Sequence, residues 1–82
     1  MTPEQLKDRL TNAIASEMAN VTEQGGRTSN EYHVGVRCDK DSIQAVAVRV
    51  ARFVASNPRS ASPMISVREG NAVSIHIKPR AA

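Results

Sequence analysis

Apolar residues at the start of the chain recur every three or four positions. Leu6, Leu10, Ala13, Ile14, Met18 and Val21 make one stripe, and Lys7, Asp8, Asn12 and Asn20 lie off it. That period predicts an amphipathic helix over about residues 2–21, with Glu17 on the flank of its apolar stripe. Thr2 suits the N-cap, Pro3 the first helical position, and Gln5 completes a capping box with Thr2. Residues 22–30, which include Gly25-Gly26, hold too few apolar side chains to pack and read as a loop. A diglycine with no helix after it reads as a plain connection, not a phosphate cradle.

At Glu31 the period changes to two. Tyr32, Val34, Val36 and Cys38 point one way and His33, Gly35 and Arg37 the other, as a half-buried strand requires. Asp39 or Asp41 is placed to cap the helix that follows. Its buried stripe is Ile43, Val46, Ala47, Val50, Phe53 and Val54, and Asn57-Pro58 ends it. Two further strands alternate in the same sense. Ile65 and Val67 oppose Met64, Ser66 and Arg68, whereas Val73, Ile75 and Ile77 oppose Ser74, His76 and Lys78. A two-residue turn at Gly70-Asn71 would put odd positions opposite even ones and expose half of these apolar residues. A three-residue loop, Glu69-Gly70-Asn71, pairs 67 with 73 and 65 with 75, and ends on Asn71 in a left-handed conformation. Arg68 then stands at the hairpin tip.

The element order α-β-α-β-β, with one apolar sheet face, predicts an α+β two-layer sandwich: two helices on one face of a small three-stranded sheet. Eighty-two residues make a single domain, 1–82, with the strand-helix-hairpin unit at 31–80. A chain of this size buries about 60–65% of its unfolded surface. With no Trp, one Tyr, one Phe and a single Cys, its core is aliphatic and without disulfides. Association into a homodimer is the expected remedy. Beside the buried stripe of the second helix runs a second strip, Val48, Ala51, Arg52 and Ala55, which is the expected subunit contact.

Charge sharpens the picture. The net charge of +3 is unevenly spread. Residues 1–30 carry Lys7, Arg9 and Arg27 against Glu4, Asp8, Glu17 and Glu23; residues 42–82 carry six Lys or Arg against Glu69 alone. The outward sheet positions collect Arg37, Arg68, Lys78 and two histidines, with Glu31 as the one acid. A cationic face of this kind suits a polyanion. Tyr32 belongs to the inner sheet face and Phe53 to the helix stripe, so neither ring is offered for base stacking.

Cys38 reads as a small buried hydrophobe. A lone cysteine, with no signal-type segment and no long apolar run, suggests a soluble cytoplasmic protein that neither spans nor binds a membrane. His33 and His76 lack a third ligand at suitable spacing, so no metal is expected. Nothing groups a serine or cysteine with a base, and no phosphate-binding glycine loop, dinucleotide fingerprint or paired buried carboxylates occur. Neither catalysis nor a cofactor is expected.

The run from Gly35 through Asp41 into Ile43-Gln44-Ala45-Val46-Ala47-Val48-Arg49-Val50-Ala51-Arg52-Phe53-Val54 resembles the strand-loop-helix of the Alba superfamily, nearest to its stage V sporulation protein S branch. The closing Val73-Ser74-Ile75-His76-Ile77-Lys78-Pro79-Arg80 looks like that branch's last strand, and the likeness covers about residues 33–80. It implies a dimeric, non-enzymatic binder of DNA or RNA that touches phosphates with the loop before the second helix and with the last hairpin. Here those places hold Arg37 and Lys40, and Arg68. The family pattern opens with a strand and a basic loop, whereas this sequence opens at the helix. Asp39 and Asp41 also flank Lys40.

Two readings follow. One is a nucleic-acid-binding protein of Alba-like type that contacts the backbone through Arg37, Lys40, Arg68, Lys78 and Arg80. The other is a protein-protein interaction module, such as an accessory or phage-type regulator of a host protein, using the sheet face or the second helix.

Overall fold

Thr2 and Gln5 close the N-terminal end of the first helix as their spacing requires. The Thr2 hydroxyl accepts from the Gln5 amide at 3.2 Å, and the Gln5 side chain accepts from the Thr2 amide at 2.9 Å. Two otherwise orphaned donors are thereby satisfied. This computed structural model describes residues 1–21 and 31–80; the loop expected at 22–30 lies outside the described residues. The elements are α1 (Pro3–Asn20), β1 (Tyr32–Arg37), α2 (Ile43–Ser56), β2 (Met64–Arg68) and β3 (Ala72–Ile77), in the expected α-β-α-β-β order.

The three strands form one antiparallel sheet in the order β1-β3-β2, so the last strand is the central one. On the inner face Tyr32 pairs with Ile77; Val34 and Ile65 flank Ile75; Val36 and Val67 flank Val73. Both helices share the core with this face. Leu6, Leu10 and Ile14 of α1 and Ile43, Val46, Ala47 and Val50 of α2 are buried with Val73, Ile75 and Ile77. Near the sheet's other end the Tyr32 and Phe53 rings pack at 4.6 Å. Cys38 is fully buried in the same cluster, as a small hydrophobe should be.

The hairpin between β2 and β3 takes the three-residue connection. Val67 pairs with Val73 and Ile65 with Ile75. Gly70 (φ 76°) and Asn71 (φ 60°) both occupy the left-handed region, which glycine and asparagine tolerate best. Arg68 is the last strand residue, opposite Ala72, and Glu69–Asn71 form the tip itself. The Cys38 amide donates to the Asn71 carbonyl at 2.9 Å, tying this tip to the end of β1.

The start of α2 differs from expectation. Neither Asp39 nor Asp41 caps the helix; Ser42 occupies the N-cap, without a side-chain cap bond. Asp39 Oδ1 instead accepts from the Asp41 amide, the Ser42 amide and the Ser42 hydroxyl, each at 3.0 Å. A turn lies between β1 and the helix, so the carboxylate is used one turn too early to reach the helical amides. At the other end Asn57 is buried, and its side-chain amide donates to the Phe53 carbonyl at 2.9 Å just before Pro58.

Candidate nucleic-acid interface

The outer face of the sheet is a grid of three cross-strand rows. Antiparallel register places Arg37, Ala72 and Arg68 in the first row, Gly35, Ser74 and Ser66 in the second, and His33, His76 and Met64 in the third. Rows on one face are two residues apart, about 6.6 Å, and neighbouring strands about 4.8 Å. Arg37 and Arg68 therefore start about 10 Å apart, with only the Ala72 methyl between them.

All five cations expected to meet phosphate are exposed. They do not form one cluster. Arg37 and Arg68 share the first row, and Lys40 lies in the turn just after β1. Lys78 and Arg80 follow β3 at the far end of the sheet, about 20 Å from Ala72 at strand rise. There the chain beside them is held by two backbone bonds, Ala61 amide to Lys78 carbonyl and Arg80 amide to Arg59 carbonyl, both 2.8 Å.

Electrostatically the cations are uncommitted. Among the described residues the one ion pair joins His76 Nε2 to Glu31 Oε1 at 2.6 Å, so none of the five cations takes part in one. Glu31, the acid at the histidine end of this face, is engaged by a histidine, and neither arginine is in an ion pair among the described residues. Lys40 is less favourably placed. The Ser42 hydroxyl, followed by the backbone amides of the turn, holds the Asp39 carboxyl below its ordinary range, so a firm negative charge sits beside Lys40.

Pairing of β1 with β3 decides a question that periodicity left open. His33 and His76 are directly opposed, their ring centroids 5.3 Å apart and nearly perpendicular at 73°. His33 Nε2 hydrogen-bonds the Ser74 hydroxyl at 3.1 Å. Among the described residues no group of three or more His, Cys, Asp or Glu is placed to hold a metal ion. Sequence reasoning also passed over Ser66 and Ser74. With Arg68 and Ala72 they line a shallow recess of about 360 Å³. The signal was present, since both serines share parity with the arginine and histidine positions.

The strip expected to join two subunits is altered by packing. Ala51 is 1% exposed and buried within the single chain, so its methyl is not offered to a partner. Val48 and Ala55 are half-buried and Arg52 is exposed, which leaves the strip broken in its middle. The larger exposed apolar side chains lie elsewhere. Met18 (41% exposed) and Met64 (54% exposed) line a groove of about 520 Å³ between α1 and β2, with Ile14, Ala15, Pro63 and Ile65. Among the described residues no helix is long and apolar enough to cross a membrane.

No protein-family model, no curated protein and no solved structure matches this chain.

Proposed function

We propose that this protein binds the sugar-phosphate backbone of nucleic acid, without catalysing a reaction on it, as a cytoplasmic Alba-like homodimer. One observation carries the reading: Arg37 and Arg68 flank Ala72 in a single row, exposed and free of any ion pair among the described residues. Two guanidinium groups across a small residue suit a phosphate, which accepts parallel N–H donors from arginine. Lys78 and Arg80 extend the positive face beyond β3, and Lys40 adds a weaker contact. The resemblance of residues 33–80 to the Alba superfamily points the same way.

A mobility-shift titration at two salt concentrations tests it. Binding should weaken with salt by a log-log slope of about 0.9 per neutralised phosphate on duplex DNA, or about 0.7 on a single strand. Arg37→Glu with Arg68→Glu should abolish it. No binding by the intact protein at low salt ends the proposal. The homodimer rests on the small aliphatic core and on Val48, Arg52 and Ala55. Sedimentation should show a dimer at micromolar concentration and a monomer for Ala55→Lys.

The competing reading, a protein-protein interaction module, is favoured by the groove beside β2, an edge strand among the described residues. It requires a nuclease-resistant complex with one protein that is lost in Met18→Glu and Met64→Lys.

A further inference from the structure

The geometry points to a single strand, not a duplex, as the nucleic acid held on the outer sheet face: one phosphate between Arg37 and Arg68, and an unpaired base against His33, His76 and Met64. This inference rests on the nucleic-acid reading above and specifies its ligand.

Three features of the grid support it. The first is shape. Between the arginine row and the histidine row lie Gly35, Ser74 and Ser66, so nothing bulky rises from the middle of the face. A Cβ built on Gly35 would meet no atom within 4 Å, and a recess lined by β2 and β3 residues holds about 360 Å³. The three-strand face on which it opens is only about two inter-strand spacings wide, near 10 Å. A nucleotide released from pairing can enter it. A double helix keeps its bases stacked inside and can touch only the arginine rim.

The second is the third row. An unpaired base needs a flat or polarisable surface, and histidine supplies one among the side chains that stack on bases. The two imidazoles are adjacent, and each is oriented by a bond to a neighbour: His33 to Ser74 Oγ and His76 to Glu31. Met64, 54% exposed, ends this row by register on the edge strand, where it also borders the groove between α1 and β2. The inner-face pair, Tyr32 and Phe53, takes no part. The aromatic element absent from Phe, Tyr and Trp positions is thus provided by imidazole.

The third is spacing and charge. About 13 Å separates the arginine row from the histidine row, four residues along a strand. That span exceeds the reach from a phosphate to the base of its own nucleotide, so the base belongs to a neighbouring nucleotide and the backbone between them passes over the serine row, where Ser66 and Ser74 offer hydroxyls. The phosphate end carries Arg37 and Arg68, and at the base end the Glu31 carboxylate is engaged by His76 Nε2. A strand bound in this sense meets each chemistry with its complement.

Fluorescence anisotropy with labelled oligouridylate, oligothymidylate and a DNA duplex of matched length tests the inference. At least one single strand should bind about 10-fold or more tightly than the duplex. His33→Ala and His76→Ala should each weaken that strand by about 5-fold or more, the lower end of one stacked base. Duplex affinity and the salt slope should stay unchanged in both. Imidazole proton signals should move on strand addition while those of Tyr32 stay still. Circular dichroism of each variant confirms that these outward substitutions leave the fold intact. Duplex binding as tight as the tighter-bound single strand, or single-strand affinity indifferent to both histidine variants, overturns the inference and leaves phosphate binding standing. Absence of binding to all three probes removes both.

Discussion

Arg37 at the end of β1 and Arg68 at the end of β2 occupy one cross-strand row, held on either side of Ala72 by the central strand. They are 31 positions apart in the chain, and their strands are not hydrogen-bonded to each other. What fixes their spacing is β3, together with the Cys38 amide bond to the Asn71 carbonyl that clamps the hairpin tip to β1.

Cations near this row should not contribute equally. Arg68→Ala is expected to lower the salt slope by about 0.7–0.9, one phosphate contact. Lys40→Ala should change it much less, because Asp39 and Asp41 repel the same phosphate. Asp41→Asn should therefore strengthen binding. Titrations of the three variants at several salt concentrations check this ordering, and a Lys40 effect as large as that of Arg68 would contradict it.

Asp39 gives the turn a pH dependence. The Ser42 hydroxyl, then the amides of residues 41 and 42, favour its charged form and depress its pKa in the folded chain. A depressed folded value adds stability above the unfolded pKa, about 4, and that stability is lost as pH falls through the folded value. Asp39→Asn should lower the urea midpoint at pH 7 and flatten its decline below pH 4. Parallel wild-type and variant curves across that range would rule the turn out as its source.

Burial, with the charge of Asp39 adding to it, pushes the Cys38 thiol above its ordinary pKa. At neutral pH the folded protein should react with a thiol reagent far more slowly than the urea-unfolded chain. Equal rates would place Cys38 outside the core.

Gly70 sits at φ 76° beside Asn71 at φ 60°. An alanine at Gly70 meets no neighbouring atom within 4 Å but must adopt the left-handed conformation. The expected loss is about 1–2 kcal/mol in chemical denaturation. Gly70→Ala as stable as the parent would mean that the hairpin adopts another turn.

Ser60 is 6% exposed, and its hydroxyl has no hydrogen-bond partner among the described residues. Ser60→Ala should be neutral or stabilising by about 1 kcal/mol, since it removes an unsatisfied buried group. A clear loss of stability would show that the hydroxyl is bonded.

Local chemistry along the chain was sufficient for each element and for the face each residue takes. The capping box at Thr2 and Gln5 set the start of α1, the change from helical to twofold period marked β1, and matching parity on Val67 and Val73 selected the three-residue hairpin loop. These rules act between residues close in sequence. They failed at Asp39, where a turn took the carboxylate through the Asp41 and Ser42 amides before the helix began. They failed again at Ala51, because a helix stripe shows which residues are apolar but not how far the neighbouring layer wraps around it. Sheet order lay beyond them altogether. The bonds His33–Ser74 and His76–Glu31 join residues 41 and 45 positions apart, and no periodicity says which edge of a hairpin an earlier strand will pair with. Placing β3 at the centre buries Val73 and Ile75 between two neighbours and Ile77 beside Tyr32. The same choice sets two imidazoles side by side and spaces two arginines across one alanine. Long-range packing of the inner face thus assembled the outer one.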